Sequence, residues 1–148
     1  MSDKYYYRYA TKDDVDLIYN WANEKEVRAN SFNSNEIKYE DHVRWFDRIL
    51  SDKEHNVQLI LMCDDTPVGQ CRLSIDNRQA TIGLSVDKNY RGTGVGNALI
   101  SNICEWVREN RPDIKTLIGQ IKPENEASAK AVINSGFVET YRNYELKL

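Results

Sequence analysis

The chain has 148 residues and a formal net charge of -3 at pH 7, from 20 Lys and Arg against 23 Asp and Glu. This length suits one domain, and we expect residues 1–148 to fold as a single domain around one core. The slightly acidic balance and the lack of a Lys/Arg block argue against nucleic acid or an anionic membrane as a partner, so a small soluble ligand is expected.

The N-terminus and the cysteines indicate the cellular compartment. The segment MSDKYYYRYATKDD has neither the basic start nor the apolar core of a signal peptide, and no later stretch approaches the roughly 20 apolar residues of a membrane span. Cys63, Cys71 and Cys104 are odd in number and form no Cys-x-x-Cys pair. We therefore predict a cytoplasmic protein with buried, reduced thiols, no disulfide framework and no metal site.

The first half of the chain predicts a strand followed by two helices. The tyrosine-rich segment from Tyr5 to Ala10 is typical of a strand, and a capping-box start at Thr11 and Asp14 opens the first helix. Residues 24–38 are polar, with Ser and Asn crowded together, and predict loop or short helical turns. A second helix is predicted from Tyr39 to Leu50, where apolar residues fall at helical spacing.

The second half predicts three strands and then a strand-helix-strand unit. The three consecutive strands, joined by short turns, indicate an antiparallel meander; they cover residues 57–63, 68–75 and 81–86. A helix follows from Val95 to Arg111, where Pro112 stops it. The last predicted elements are a strand over 116–121, a helix over 125–135 and a strand in the tail over 137–148. Together they predict an α+β, or mixed α/β, fold: a mixed, mostly antiparallel sheet flanked by about four helices.

The stretch from Asn89 to Ile100, NYRGTGVGNALI, carries three glycines at alternate positions between a predicted strand and a predicted helix. Such a turn offers backbone N–H groups and the positive end of a helix dipole to an anion. The Walker A pattern of ATP-binding loops fails, because Asn97 holds the place of its second glycine and no lysine follows. The dinucleotide fingerprint also fails, because Asn97 replaces its third glycine and the next strand ends in Lys122 instead of an acid.

Two motifs resemble those of the GNAT acetyltransferases. The segment from Arg91 to Gly96, RGTGVG, resembles the family's pyrophosphate loop. Asn125, Ser128 and the pair Gly136-Phe137 resemble the helix that flanks the pantetheine arm of the cofactor. The order of the predicted elements agrees with the family over nearly the whole chain. The resemblance implies the GNAT acyl-CoA N-acyltransferase fold, acetyl-CoA (coenzyme A) as the cofactor and N-acetylation as the activity.

The same resemblance implies the cofactor and catalytic residues. The strand before the glycine loop would polarise the thioester carbonyl through its backbone, where it parts from the strand at 116–121. Many relatives carry a tyrosine as proton donor to the departing thiolate where this sequence has Val132. Ser128 resembles the serine on this helix in the Rim-type and amino-sugar branches, which implies it as the proton donor or as a thiol contact. The implied cofactor contacts are Leu84, Ser85, Val86, Arg91, Gly92, Thr93, Gly94, Val95, Gly96, Asn97, Asn125 and Ser128.

The acceptor side resembles a narrower group of relatives. The segment WANEKEVRANSFNSNEIKYEDHVRWF is similar to a pattern of nucleotide-sugar N-acetyltransferases of the pseudaminic and legionaminic acid type. A nucleotide-linked amino sugar is therefore the expected acceptor, since polar side chains suit its hydroxyls or phosphate and a tryptophan suits its rings. Trp21 and Phe46 are predicted to lie in the core. The predicted acceptor contacts are Arg28, Asn30, Ser31, His42 and Trp45.

The general base is not determined by this pattern. His42 has the unperturbed pKa that suits the task and is the catalytic candidate together with Ser128. Other candidates for the base are Glu24, Glu36, Asp41 and the C-terminal tyrosines. By the resemblance, they lie in segments that border the acceptor groove. A water relay, or an acceptor amine with a lowered pKa, would remove the need for a base.

Two alternatives to an amino-sugar acetyltransferase stay open. One is an enzyme that acetylates a protein N-terminus or a small amine, as in the Rim-type branch. The other is a module that binds coenzyme A or a nucleotide sugar without turnover, which the valine at position 132 favours. The short tail after Gly136 predicts either one long strand or contact with a second subunit in a homodimer.

Overall fold

The computed structural model describes residues 4–148, so residues 1–3 of the N-terminal segment lie outside the described part. The strands of residues 4–148 are β1 (Tyr5–Tyr9), β2 (Asn56–Cys63), β3 (Thr66–Asp76), β4 (Gln79–Val86) and β5 (Thr116–Gly119). The α-helices are α1 (Val15–Ala22), α2 (Lys25–Ala29), α3 (Tyr39–Ser51), α4 (Val95–Asn110) and α5 (Glu126–Asn134). Short 3-10 helices cover Lys12–Asp14 and Lys88–Tyr90.

The strands form one sheet in the order β1-β2-β3-β4-β5. The first four strands pair antiparallel, whereas β4 and β5 are parallel and are joined through α4. Asp64 (φ 53°) and Asn77 (φ 57°) turn the chain between β2, β3 and β4 in the left-handed region that Asp and Asn tolerate. The predicted mixed, mostly antiparallel α+β architecture is confirmed.

Helices cover both faces of the sheet. On one face, α4 contributes the residues that the sequence predicted at helical spacing, which are at most 4% exposed: Val95, Leu99, Ile103 and Val107. On the other face, Ile18 of α1 and Phe46 of α3 pack against Ile60 of β2. Each such buried side chain contributes roughly 1.5–3 kcal/mol relative to its exposed state. The sheet is therefore held between α4 and the α1-α3 pair.

Asp14 fixes the junction between β1 and α1. Its carboxylate accepts hydrogen bonds from two nitrogens of Arg8, each at 2.9 Å, and from the backbone N–H of Thr11 at 2.8 Å. Asp14 is only 7% exposed, and the hydrogen bond from Arg8 lowers the pKa of its carboxyl group. The capping box predicted at Thr11 and Asp14 is confirmed.

The pairing of β4 with β5 is short. Its last pair joins Ile82 to Gly119, and residues 83–86 of β4 continue without a β5 partner. The two parallel strands therefore part at their carboxyl ends, next to the start of α4. Parallel strands that part in this way leave a cleft whose walls are backbone edges.

Two predicted elements at the C-terminal end differ from the structure. β5 ends at Gly119 rather than at residue 121, and the predicted tail strand is wrong, because residues 137–148 form no strand. A strand needs a neighbouring strand for its N–H and C=O groups, and the tail pairs with none of the five strands. Its large apolar side chains are at least 74% exposed: Val138, Tyr141, Tyr144, Leu146 and Leu148.

The cysteines and acidic side chains of residues 4–148 form neither a disulfide nor a metal cluster. In residues 4–148, no helix is long and apolar enough to cross a bilayer, and no group of three His, Cys, Asp or Glu side chains is arranged to hold a metal ion. All three cysteines are free thiols. Cys71 is buried, which raises the pKa of its thiol, while Cys63 and Cys104 are half-buried.

Substitution of Asp14 by Asn tests the β1-α1 junction. Asp14→Asn removes the charge that Arg8 faces, and we expect the free energy of unfolding at neutral pH to fall by about 2 kcal/mol. Because the folded-state pKa of Asp14 is lowered, its contribution is present above the unfolded-state pKa and is lost as the pH falls through the folded-state pKa. Urea denaturation from neutral pH down to about pH 3 should therefore show a shrinking difference between the two proteins.

The matched control for this measurement is Asp13→Asn, at an exposed carboxylate one residue earlier. It should change the free energy of unfolding by less than about 0.5 kcal/mol, as surface substitutions usually do. A loss of equal size in both variants would contradict the role of the Arg8 contact.

Candidate active site

The glycine-rich loop enters α4 through left-handed backbone. Gly92 has φ 76° and Gly94 has φ 92°, and both are exposed. Ala98 makes the first hydrogen bond of the helix, donating its N–H to the Gly94 carbonyl at 3.1 Å. The N–H groups of residues 95–97 consequently have no partner within the helix and lie at the positive end of its dipole. This donor set fits a pyrophosphate.

The end of β4 forms one wall of the cleft. β3 pairs with this segment on one side, with Gln70 opposite Ser85, and the other edge of residues 83–86 has no strand partner. Backbone N–H and C=O groups on that edge are therefore available to a ligand, except the Val86 carbonyl, which accepts a hydrogen bond from Arg91 Nη2 at 3.5 Å. Leu84 and Val86 pack toward α4, while the Ser85 hydroxyl on the other face accepts a hydrogen bond from Gln70 Nε2 at 2.9 Å.

Arg91, expected as a cofactor contact, is held by two carboxylates. Its guanidinium nitrogens lie 2.5 Å from Glu24 Oε2 and 2.6 Å from Glu26 Oε2. The hydrogen bond from Arg91 lowers the pKa of Glu24, and the same contact raises the pKa of Arg91. The positive charge at the loop is thus balanced within the chain, and the backbone N–H groups are the main donors left for a pyrophosphate.

The short helix α2 bridges the two sides of the cleft. At its start, Glu24 is joined through Arg91 to the loop that follows β4. At its end, the Ala29 carbonyl accepts a hydrogen bond from Lys122 Nζ, in the segment that follows β5, at 3.0 Å. α2 therefore joins the loop after β4 to the segment after β5.

A cavity of about 250 Å³ opens between α1 and the end of β4. Its lining residues are Leu17, Asn20, Trp21, Glu24, Val86, Asp87 and Lys88. Trp21 Nε1 donates a hydrogen bond to Asp87 Oδ2 at 2.8 Å and thereby fixes the loop after β4 against α1. Arg91 pairs with Glu24 and Glu26, so the carboxylates at and beside the cavity (Glu24, Glu26 and Asp87) outnumber the cations Arg91 and Lys88 by one. This excess of negative charge suits a positively charged group such as a protonated amine.

The helix α5 lies along β5 on the opposite side of the cleft. Asn125 is its N-cap, with Oδ1 accepting the backbone N–H of Ser128 at 3.2 Å. Ser128 is half-buried. Val132 is 9% exposed and lies 3.9 Å from the position of a Cβ on Gly119 of β5. Val132 therefore packs against the sheet, and the first turn of α5 carries two polar side chains, the exposed Glu126 and the half-buried Ser128.

Two of the five side chains expected to bind the acceptor, Arg28 and Ser31, form hydrogen bonds within their own loop. Arg28 donates to three backbone carbonyls at 2.7 to 3.1 Å, those of Ala22, Asn33 and Asn35. Ser31 Oγ donates to the Val27 carbonyl at 2.6 Å, and Asn30 is exposed at the end of α2. These contacts give the segment 30–35 its shape and engage the donors that a phosphate would need.

His42 lies in the packing between α1 and α3. It is 2% exposed, its Nε2 is 3.0 Å from the Val15 carbonyl, and its ring stacks on Phe46 with centroids 5.9 Å apart. Burial lowers the pKa of His42, so the imidazole is neutral near pH 7. His42 does not line the cavity at Glu24, and its contacts do not support the catalytic role that the sequence suggested. The predicted core positions of Trp21 and Phe46 are confirmed.

Asn20 and Asp87 line the cavity but were not singled out from the sequence. Asp87 directly follows the last residue of β4 and precedes the glycine loop. A polar residue at the carboxyl end of a strand next to a glycine loop is a recurrent ligand position, and this signal was present in the sequence. Asn20 carries no comparable signal, because a polar residue on an amphipathic helix is usually solvated.

Residues 5–138 match the family model described as an acetyltransferase (GNAT) domain. Solved structures of similar fold include the spermidine N-acetyltransferase from Vibrio cholerae in complex with CoA and spermine, with a TM-score of 0.84 at 15% identity, covering 95% of this chain and 84% of that one. The aminoglycoside acetyltransferase AAC(6')-Ib in complex with coenzyme A has a TM-score of 0.77 at 17% identity, covering 92% of this chain and 85% of that one. RimL, a ribosomal alpha-N-protein acetyltransferase in complex with coenzyme A, has a TM-score of 0.79 at 15% identity, covering 92% of this chain and 81% of that one.

The left-handed turn before α4 makes a testable pair of glycine substitutions. Gly94→Ala places a Cβ on backbone with φ 92°, and we expect the free energy of unfolding to fall by about 1–2 kcal/mol. Gly96→Ala is the matched control, because position 96 is helical and its Cβ would meet nothing nearer than 4.0 Å. Alanine should stabilise that position by up to about 1 kcal/mol. Urea denaturation of both variants should show effects of opposite sign; equal effects would contradict the turn geometry.

Proposed function

The chain belongs to the GNAT acetyltransferase family, and we propose that it transfers the acetyl group of acetyl-CoA to the primary amine of a small molecule. As a member of this family it is an N-acetyltransferase. A nucleotide-linked amino sugar is the first acceptor to test, because residues 21–46 resemble the nucleotide-sugar enzymes.

One observation carries the proposal: the cleft between β4 and β5 opens at the start of α4. The cleft offers unpaired backbone groups along residues 83–86, and the loop offers three N–H donors at residues 95–97. The first set suits an extended amide-bearing chain and the second a pyrophosphate, and coenzyme A contains both. The relatives in complex with CoA or coenzyme A support the same ligand.

Acyl transfer from a thioester to an amine requires an unprotonated amine, a polarised carbonyl and a proton for the departing thiolate. A backbone N–H on the free edge of residues 83–86 would polarise the carbonyl. Ser128, at the first turn of α5, would donate the proton to the thiolate. The cavity at Glu24 would hold the amine between these groups.

We favour Glu24 over His42 as the group that receives the proton leaving the acceptor amine. Glu24 borders the cavity, whereas His42 is packed against α1. The ion pair with Arg91 keeps Glu24 ionised at neutral pH, so this carboxylate attracts a protonated amine but is a weak base. A water molecule between the amine and Glu24 would complete the proton transfer.

The charge of the cavity favours a second candidate acceptor, a cationic small amine. Glu24 and Asp87 attract positive charge, and spermine is bound in the Vibrio cholerae relative. A protein N-terminus, which the name of RimL indicates for that enzyme, is a third candidate. Arg28 is engaged by backbone carbonyls, so a nucleotide-linked acceptor requires another cation for its phosphates.

Release of the coenzyme A thiol tests the proposal directly. The purified protein is incubated with acetyl-CoA and one amine at a time: a UDP-linked amino sugar, glucosamine, spermidine or a peptide with a free N-terminus. We expect the UDP-linked amino sugar to give the highest kcat/KM, with its N-acetylated form as the matched non-acceptor. Turnover of the peptide alone would overturn the proposal in favour of the Rim-type activity.

Replacement of Ser128 tests the proton donor. We expect Ser128→Ala to lower kcat by about 100-fold with little change in the KM for acetyl-CoA, because only the step that expels the thiolate loses its acid. Ser135→Ala, at the other end of the same helix, is the control, since its hydroxyl donates to the Ala131 carbonyl at 3.0 Å. An unchanged kcat in Ser128→Ala would exclude this role.

A further inference from the structure

Arg72 is a half-buried cation without a counter-charge. It lies on β3, on the sheet face that α1 and α3 cover. No carboxylate of residues 4–148 forms an ion pair with it, whereas Arg8, Arg91 and Arg111 each have one. Burial lowers the pKa of the Arg72 guanidinium. A guanidinium that loses water and gains no anion is unfavourable, so the position points to an anion supplied by a ligand.

The Arg72 side chain is ordered by two contacts that leave most of its donors unused. Its Cζ lies 5.5 Å from the ring centre of Trp45 on α3, and Nη1 donates to Ser74 Oγ at 2.5 Å. Arginine carries five N–H donors in a planar fork, and Ser74 is its one hydrogen-bond acceptor in the described chain. Such a fork can bind both oxygens of a carboxylate or phosphate.

Open space lies beside this guanidinium. Gly83 of β4 is the register partner of Arg72, and a Cβ placed on Gly83 would meet no heavy atom within 4 Å. Opposite residues of neighbouring strands stand about 5 Å apart at their Cα atoms, so the side chain of Arg72 borders the space over Gly83. A larger residue at position 83 would fill it.

The space over Gly83 adjoins the cleft. Gly83 is the first residue of β4 beyond the last pair with β5, and Ser85 follows on the same face about 7 Å further along. The Ser85 hydroxyl accepts from Gln70, whose Oε1 accepts from Gln58 Nε2 at 2.6 Å. Gln58 is 3% exposed, and its Oε1 has no partner in the described residues. A row of polar side chains thus leads to Ser85, whose own proton is left to donate to a ligand.

We propose that Arg72, the space over Gly83 and the Ser85 hydroxyl form a subsite for an anionic group, a phosphate or a carboxylate, carried by the acceptor amine. The inference rests on the proposed function and deepens it. The acceptor is then an amine whose cationic end enters the cavity at Glu24 and whose anionic end meets Arg72. A polyamine has no group for this subsite, and a phosphorylated amino sugar has one.

Matched acceptor pairs test the subsite. Glucosamine and glucosamine 6-phosphate differ by a phosphate, and β-alaninamide and β-alanine differ by a carboxylate. We expect kcat/KM to favour the anionic member of at least one pair, and Arg72→Met to lower this preference by about 10- to 100-fold. The pair that responds identifies the anion. Arg72→Lys keeps the charge without the fork and should show a partial loss.

Two further variants separate recognition from folding. Arg108→Gln, at an exposed arginine on α4, is the matched control and should leave the preference unchanged. Gly83→Val fills the space in a strand position that valine favours, and should lower the preference as Arg72→Met does. An unchanged preference in Arg72→Met or Gly83→Val, or an equal loss with charged and uncharged amines, would overturn the subsite.

A binding measurement distinguishes failure of the subsite from failure of the proposed function. Glucose 6-phosphate, which carries the phosphate but no amine, is titrated calorimetrically into the protein saturated with coenzyme A. We expect binding to the wild-type protein and at least about tenfold weaker binding to Arg72→Met. Acetylation of none of the four amines would count against the proposed function alone, because this titration still decides the subsite. Equal binding to both proteins would exclude the subsite. No binding of glucose 6-phosphate to the wild type, together with no preference for β-alanine over β-alaninamide, would exclude it as well.

Discussion

The parting of β4 from β5 is the constraint on which the rest of the site depends. Their parallel pairing stops at Ile82 and Gly119, although β4 continues to Val86. Paired backbone groups are not available to a ligand, so a longer β5 ladder would close the cleft. The end of β4 leads into the glycine loop, and the N–H donors at residues 95–97 have no partner within α4. The candidate cofactor site is therefore built from backbone rather than from side chains.

Charge is distributed unevenly around this cleft. Arg91 in the glycine loop is neutralised by Glu24 and Glu26, so its contribution to anion binding is reduced. The same ion pairs hold the start of α2 against this loop. Arg72 on the sheet face has no carboxylate partner in residues 4–148, and burial keeps water from compensating it fully. One side of the acceptor region is thus acidic and the other cationic. An acceptor with a positive amine and a negative group would satisfy both.

The accuracy of the sequence-based predictions depends on how local each feature is. The stripe of Val95, Leu99, Ile103 and Val107 predicted α4 correctly because helical spacing and burial follow from neighbouring residues. The tail was predicted as a strand from its composition, but a strand exists only with a partner, and residues 137–148 have none. His42 has a catalytic residue type, yet its position is set by packing against Val15 and Phe46. Its role could not be judged without that packing.

By itself, the sequence determined the order and type of nearly all elements, the glycine loop before α4 and the N-cap of α5, because these depend on residues close in the chain. Only the tertiary structure decided which charges meet. Arg91 and Glu24 are 67 residues apart in sequence, and the pairing of Arg72 with Gly83 depends on the β3-β4 register. Long-range contacts arise from sheet register and helix packing, which set distances that no local pattern encodes. The family and its cofactor were therefore accessible from sequence, while the contacts of the side chains expected to bind the acceptor required the fold.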